Sequence, residues 1–228
     1  MGGPAVALVL VLAAGCGRIA FSPVERGHTD GGGADATAID TRGDGAAIAP
    51  DACSGITFVA GPALTAGNNP SALAAGDLDG DGNLDLVVTN YNSTTISVFL
   101  GQGGGAFATQ VTYDIGNTGA SSVAIADLDG DGKLDLAIAD TNSGAAIVLL
   151  GTGGGAFGAP AVFPAGAAAE GLATGDFDDD GKRDLAVTSF GASQVDILLG
   201  TGGGMFAAPV SYPTGANPIG IAEGDITG

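Results

Sequence analysis

Apolar residues in the second part of the chain occur in short segments whose spacing is typical of β-strands. In the first complete unit, Leu84 to Asn90 has the apolar density of a buried strand. Thr95 to Leu100 follows, with Ile96, Val98 and Leu100 at alternating positions as in a half-buried strand. The pattern therefore predicts antiparallel β-structure with short turns.

Two further predicted strands complete the unit. The first strand, Ser71 to Gly76, precedes an acidic stretch, and the fourth strand is Gln110 to Tyr113. A polar turn at Tyr91 to Thr94 connects the second and third strands. Between the third and fourth strands a run of three glycines leads in every copy to a phenylalanine: Phe107, Phe157 and Phe206. Each unit is thus predicted to be a sheet of four short antiparallel strands.

The acidic stretch between the first two strands recurs at a constant spacing. Loop 1 is Asp77 to Asp85, loop 2 is Asp127 to Asp135, and loop 3 is Asp176 to Asp184; a further copy begins at Asp225. Their first aspartates are 50, 49 and 49 residues apart. A steady period of this length indicates stacked or radial repeats, each one supersecondary unit.

Aspartates at positions 1, 3, 5 and 9 of each loop, with glycine at position 6, indicate a calcium site. Alternating carboxylates, a backbone carbonyl at position 7 and a sharp turn at glycine are what Ca²⁺ requires, whereas Mg²⁺ prefers a stricter octahedron. An EF-hand or dockerin is disfavoured because position 12 is apolar and lies in a β-branched run: Val88, Ile138 and Val187. Surface acids without a metal are the alternative interpretation.

Composition narrows the possible partners. Of 228 residues, 43 are glycine and none is tryptophan, and the net charge is −19. That charge argues against binding nucleic acid, whose phosphates would be repelled. The three loops hold 13 of the 25 acidic residues, so about half of the acidic residues lie at the predicted metal sites.

Residues 1–16 have the features of an export signal. The apolar run from Ala5 to Ala14 is too short to span a bilayer but suits the core of a secretory signal. The ending Leu12 to Cys16 resembles a bacterial lipobox, which implies cleavage before Cys16 and lipidation of that residue. The segment lacks a Lys or Arg at its start and has Ala13 three residues before the cysteine, so a plain secretion signal and a misplaced start remain alternatives.

Residues 17–53 are predicted to be a flexible tether, because they are rich in Gly, Ala, Asp and Thr and show no hydrophobic period. The only histidine, His28, lies in this segment and is interpreted as a solvated linker residue. Cys53 is interpreted as a free thiol, or as a disulfide partner of Cys16 if that residue is not lipidated.

The loop D-x-D-x-D-G-x-x-D between two strands, together with Phe157-Gly158-Ala159-Pro160 after the glycine turn, resembles the FG-GAP or VCBS repeat family, related to the repeats of integrin α-subunit heads. The resemblance covers 54–228. It implies an all-β fold of β-propeller blades, commonly seven blades of four antiparallel strands, with Ca²⁺ in loops between the first two strands of a blade.

Carried onto this chain, the resemblance implies about three structural calcium ions. The ligands in loop 1 would be Asp77, Asp79, Asp81, Asn83 through its carbonyl, and Asp85. Those in loop 2 would be Asp127, Asp129, Asp131, Lys133 through its carbonyl, and Asp135. Those in loop 3 would be Asp176, Asp178, Asp180, Lys182 through its carbonyl, and Asp184.

The units predict about three blades and a stub. Repeats are placed at about 71–119, 120–168 and 169–217, with a truncated fourth at 218–228. Ile56 to Leu64 matches the last strand of a preceding blade. Fewer blades than the four to eight of a closed propeller predict either a piece of a longer protein or several chains that cover the exposed edges.

The function expected from these features is an exported, surface-tethered, non-catalytic calcium-binding module for adhesion or for binding an extracellular protein or glycan. It would be an outer-membrane or cell-surface lipoprotein, or otherwise periplasmic or extracellular. No His and no Cys follows Cys53, so Ser-His and Cys-His catalysis is not expected in the repeats. The alternatives are an accessory domain of a calcium-dependent, polysaccharide-acting enzyme, and a truncated gene product without a partner.

Overall fold

The computed structural model describes residues 63–224. Contacts divide the chain into two units, and all of these residues except Ala63 belong to the second, Leu64–Gly228. The predicted export signal and tether, Cys16, Cys53 and most of the predicted strand at Ile56 to Leu64 lie outside the described residues. All the regular structure within 63–224 is β-strand. These residues contain no helix that is long and apolar enough to cross a membrane.

Three antiparallel sheets of four strands, which we call blades 1 to 3, follow one another along the chain. Blade 1 contains β1 (Pro70–Gly76), β2 (Asp85–Asn90), β3 (Thr95–Phe99) and β4 (Val111–Asp114) in that order. Blade 2 contains β5 (Ala120–Ala126), β6 (Asp135–Asp140), β7 (Ala145–Leu149) and β10 (Ala161–Pro164). Blade 3 contains β11 (Ala169–Gly175), β12 (Asp184–Ser189), β13 (Gln194–Leu198) and β16 (Val210–Pro213).

Two additional hairpins carry the glycine turns. They are β8 (Gly151–Gly153) with β9 (Ala156–Phe157) and β14 (Gly200–Gly202) with β15 (Met205–Phe206); blade 1 has a single bridge at the same place. In blade 1 the three consecutive glycines Gly103, Gly104 and Gly105 have φ of 75°, 61° and 82°. Residues with a Cβ adopt this left-handed region at a cost, which explains the glycine run in each copy.

The second strand of each blade is its buried centre. All six residues of β2, β6 and β12 are buried, as their apolar density predicts. The prediction that this strand begins at Leu84 is off by one residue, because Leu84 is 42% exposed and β2 begins at Asp85, which pairs with Gly76. The prediction of four strands in each blade is confirmed. The prediction that the third strand is half-buried is wrong for blades 1 and 2, because four of the five residues of β3 and all five of β7 are buried.

The first strand of each blade contains an irregularity that hydrophobic periodicity does not predict. In β1 the register shifts between Pro70, opposite Asn90, and Leu73, opposite Val88, so β1 has one more residue than β2 in this interval. The N–H of Ala72 donates to Thr89 Oγ1 at 2.9 Å, which satisfies a donor that the bulge removes from the ladder. The same register shift occurs in β5 and β11.

Neighbouring blades share hydrophobic cores. One cluster joins blades 1 and 2 through the fully buried residues Ile96, Leu136, Ile138, Ile147 and Leu149. A second cluster joins blades 2 and 3 and contains smaller side chains, chiefly alanines, from blade 2. Packing between faces of consecutive sheets is the arrangement of propeller blades, although the sheets within 63–224 do not close into a ring.

Aromatic contacts mark each joint between blades. The rings of Tyr113 and Phe157 meet edge to face at 5.2 Å and 88°, and those of Phe163 and Phe206 at 5.2 Å and 80°. Phe157 and Phe206, which follow the glycine turns of blades 2 and 3, thus pack on the last strand of the preceding blade, whereas Phe107 packs against Leu86, Val88 and Phe99 of its own blade. The sequence shows the recurrence of this phenylalanine, and the structure shows its contact.

Tyr113→Phe should destabilise the protein by about 1 kcal/mol, because the Tyr113 hydroxyl donates to the carbonyl of Gly155 at 3.2 Å across the joint. Tyr212→Phe is the matched control, since Tyr212 pairs with Val195 as Tyr113 pairs with Ile96 but is 55% exposed. Denaturant unfolding of both variants measures the difference. Equal effects at the two positions would show that this hydrogen bond contributes nothing to the joint.

Candidate metal centre

The three acidic loops connect the first and second strands of the three blades, and each brings three carboxylates together. Oxygen atoms from positions 1, 3 and 9 lie within 4.8 Å of one another in every loop. The groups are Asp77, Asp79 and Asp85; Asp127, Asp129 and Asp135; and Asp176, Asp178 and Asp184. Each group could hold a metal ion.

Backbone N–H groups inside the loop fold it around the position 1 carboxylate. Asp77 accepts hydrogen bonds from the N–H groups of Gly80 at 2.8 Å and Gly82 at 2.9 Å, and Asp127 accepts the equivalent pair in loop 2. The glycine at position 6 has φ between 84° and 87° in all three loops, and no heavy atom lies within 4 Å of its Cβ position. The backbone angle, and not crowding, requires glycine here.

The position 9 carboxylate is fully buried and joins two separate backbone segments. Asp135 accepts the N–H of Leu128 and the N–H of Gly151, each at 2.7 Å. Asp85 and Asp184 make the same pairs of hydrogen bonds, at 2.6 to 2.7 Å. This aspartate therefore ties the loop to the glycine turn of its own blade, in addition to being a candidate ligand.

The glycine that donates to position 9 is required by close backbone contact. A Cβ on Gly101, Gly151 or Gly200 would lie 2.2 to 2.3 Å from the carbonyl oxygen of the residue at position 8 of the loop. The sequence analysis did not identify these three glycines as part of the site. The available indication was that a glycine recurs two residues after the third strand of every blade.

The position 5 carboxylate lies outside the converging groups. Asp81 accepts hydrogen bonds from both the backbone N–H and the side-chain amide of Asn83, each at 2.8 Å. Asp131 and Asp180 accept the backbone N–H of the lysine at position 7 and form an ion pair with its ammonium group. The ligand roles of position 5 and of the position 7 carbonyls stay predictions.

The charge state of the loops reflects these contacts. Desolvation raises the pKa of Asp79, opposed by the N–H of Asp81, and the neighbouring carboxylates raise it further. Burial raises the pKa of Asp135, against the opposing effect of the N–H groups of Gly151 and Leu128. Hydrogen bonding to the Lys133 ammonium lowers the pKa of Asp131, and Asp131 in turn raises that of Lys133.

The donor set fits a hard divalent cation. All three converging side chains in each loop offer carboxylate oxygens, and no nitrogen or sulfur ligand belongs to any of the three groups. Positions 1 and 3 are half-buried in loops 1 and 2 and exposed in loop 3, so an ion would be reachable from solvent. Donor sets made only of oxygen atoms suit hard cations such as Ca²⁺ better than transition metals.

The FG-GAP-like repeat family matches residues 77–138, 127–187 and 176–228. The chain belongs to this family. Each match begins at the first aspartate of a loop, and the first two end in the second strand of the following blade, so the FG-GAP unit includes the joint between blades. The family resemblance predicted from the Asp loop and the Phe turn is confirmed.

Two solved structures show partial similarity to this FG-GAP chain. One is an Agrocybe aegerita lectin that recognises non-reducing terminal N-acetylglucosamine, with 26% identity and a TM-score of 0.43 over 60% of this chain and 36% of that chain. The other is a Photorhabdus luminescens Tc holotoxin pore, with 23% identity and a TM-score of 0.38 over 65% of this chain and 7% of that chain. No curated protein matches the chain at a significant level.

Proposed function

We propose that this FG-GAP chain is a non-catalytic, calcium-stabilised binding module that is exported and tethered to a surface for adhesion or for binding an extracellular protein or glycan. The observation that carries the proposal is the convergence of three carboxylates in each of three FG-GAP loops. Without a cation these carboxylates repel one another, and a bound divalent ion offsets the repulsion.

The role proposed for the metals is structural, because the loops contact the joints between blades. Leu78, at position 2 of loop 1, is 5% exposed and belongs to the core shared by blades 1 and 2. Its N–H donates to Asp85 at 2.7 Å, and its carbonyl accepts the N–H of Gly155 in blade 2 at 3.2 Å. An ion that orders loop 1 would therefore also support the adjacent blade.

The partner is proposed to bind at the opposite ends of the strands, where polar turns connect the second and third strands of each blade. These turns lie at the far end of β2, β6 and β12 from the metal loops. Blades 1 and 3 place aromatic residues there, Tyr91 half-buried and Phe190 38% exposed, and such rings can stack on a sugar or a peptide. Binding residues often lie on turns whose sequences vary while the strands that hold them stay the same, as these turns do from blade to blade.

Export and anchoring are proposed from the amino-terminal sequence alone, with Cys16 as the lipidated residue. Both that cysteine and the tether that follows it lie outside the described residues. A lipid anchor at Cys16 followed by a tether of about 37 residues would hold the blades at a membrane surface without a spanning segment.

Asp79→Ala should lower the melting temperature in millimolar calcium by about 5 to 10 °C, because an ion at 100 times its Kd adds about 2.7 kcal/mol of stability. After chelation the variant and the parent protein should melt within about 2 °C of each other, since the hydrogen bond that Asp79 accepts lies on the loop surface. Circular dichroism on the full chain, with calorimetric stoichiometry, makes both measurements.

Asp114→Ala is the control, because it removes an exposed carboxylate of blade 1 that is not part of a loop. It should melt like the parent in both conditions. A parent protein whose melt is identical with and without calcium would refute the calcium proposal. A calcium-induced rise in melting temperature as large in Asp79→Ala as in the parent would exclude Asp79 as a ligand, since loops 2 and 3 alone should give a smaller rise.

A further inference from the structure

The three metal loops differ at position 7, and the difference changes what the position 5 carboxylate contacts. In loop 1, Asn83 offers a neutral amide to Asp81 Oδ2 at 2.8 Å. In loops 2 and 3 the equivalent contact is an ion pair, between Lys133 and Asp131 and between Lys182 and Asp180. The acceptor is a carboxylate in all three loops, but only in loops 2 and 3 is the donor also charged, which adds Coulomb attraction to the hydrogen bond.

The loops differ in charge for the same reason. Loop 1 has four carboxylates and no cationic residue, whereas loop 2 has four carboxylates and Lys133. Loop 3 has five carboxylates, including Asp179 at position 4, but also Lys182 and Arg183. Loop 1 therefore has a formal charge of −4, and loops 2 and 3 each have −3.

Both differences lower the affinity of loops 2 and 3 for a divalent cation relative to that of loop 1. To use the position 5 carboxylate of loop 2 or 3, an ion must compete with an ammonium group already bound to it. The ammonium then stays within the loop and repels the ion, an effect that solvent weakens but does not remove for charges closer than the Debye length of about 8 Å. In loop 1 the ion displaces only a neutral amide.

We propose that the residue at position 7 sets the order in which the FG-GAP loops bind calcium, with loop 1 filling first and Lys133 and Lys182 lowering the affinity of loops 2 and 3. This inference rests on the calcium binding proposed above and assigns to the two lysines a role beyond their backbone carbonyls. Blade 1 is accordingly the blade that is ordered at the lowest calcium concentration.

A calcium titration followed by NMR resolves the three loops separately, because each contains a position 6 glycine whose amide contacts the position 1 carboxylate: Gly82, Gly132 and Gly181. Calcium chloride is added to the full chain after chelation. The midpoint of the change in the Gly82 amide chemical shift is expected at about one fifth of the calcium concentration needed for Gly132 and Gly181. A difference of this size is expected from one exposed ion pair and one nearby positive charge. Raising the salt concentration should reduce the difference.

Reciprocal substitutions test the cause. Lys133→Asn should shift the Gly132 midpoint to about fivefold lower calcium, and Asn83→Lys should shift the Gly82 midpoint to about fivefold higher calcium. Lys133→Arg is the matched control, because it keeps the positive charge and should leave loop 2 weaker than loop 1. In every variant the unaltered loops should keep their midpoints to within twofold.

The outcomes separate the two proposals. Calcium that shifts all three glycines at the same concentration, or midpoints that do not follow the substitutions, would overturn the order of filling while leaving calcium binding intact. Chemical shifts that do not respond to calcium at all would overturn both the inference and the calcium binding on which it rests.

Discussion

Asp135→Ala is expected to destabilise the protein by about 4 kcal/mol even in the presence of a calcium chelator. The carboxylate is fully buried and accepts the N–H groups of Leu128 and Gly151 at 2.7 Å. Truncation leaves both donors buried without an acceptor, at about 1 to 3 kcal/mol each. The calcium that loop 2 is proposed to bind would add a further loss when the ion is present.

Asp129→Ala is the matched control for this prediction. Asp129 belongs to the same carboxylate group, but the N–H that it accepts is that of Asp131 on the exposed side of the loop. In chelator its effect should stay below about 1 kcal/mol. Urea unfolding of the two variants, with and without calcium, separates the structural hydrogen bonds of position 9 from metal binding.

Asp135→Asn refines the comparison, because the amide keeps one carbonyl oxygen for one of the two donors. In chelator, the free energy of unfolding of Asp135→Asn should lie between that of the parent protein and that of Asp135→Ala. If the alanine variants at positions 129 and 135 were equally stable in chelator, the bridging role of position 9 would be wrong.

Leu136→Ala is expected to cost about 3 kcal/mol, because it removes three buried carbon atoms from the core shared by blades 1 and 2. Leu136 is fully buried in β6, opposite Ile125 on one side and Leu149 on the other. Sheet backbone on both sides of this residue limits how far the cavity can collapse. The loss therefore combines the transfer of the side chain to water with a residual cavity.

Val162→Ala provides the comparison within the same blade. Val162 lies in β10, the outermost strand of the sheet, and is 53% exposed, so its truncation should change the stability by no more than about 0.5 kcal/mol. Denaturant midpoints with equal slopes for the two variants are expected. Similar losses at positions 136 and 162 would contradict the placement of the shared core in β6.

The local features of the blades could be predicted from the amino-acid sequence. The buried second strand follows from runs such as Leu84 to Asn90, because a strand covered on both faces needs apolar residues at consecutive positions. The loops follow from aspartates at odd positions and from the glycine at position 6, whose φ above 80° is accessible at little cost only without a Cβ. The spacing of the aspartates and the glycine that the turn requires both lie within the nine residues of each loop.

Contacts between distant residues could not be predicted in this way. The bond from Gly151 to Asp135 spans 16 residues, and the bond from Gly155 to Leu78 connects two blades. Whether a carboxylate converges on a site or turns away from it, as Asp131 does toward Lys133, depends on which donors the fold brings near it. The strands, the repeats and the acidic loops can be predicted from the sequence because they depend on neighbouring residues. The bond from the glycine turn to each position 9 carboxylate and the joints between blades are visible only in the folded chain, because these contacts come from other strands and other blades.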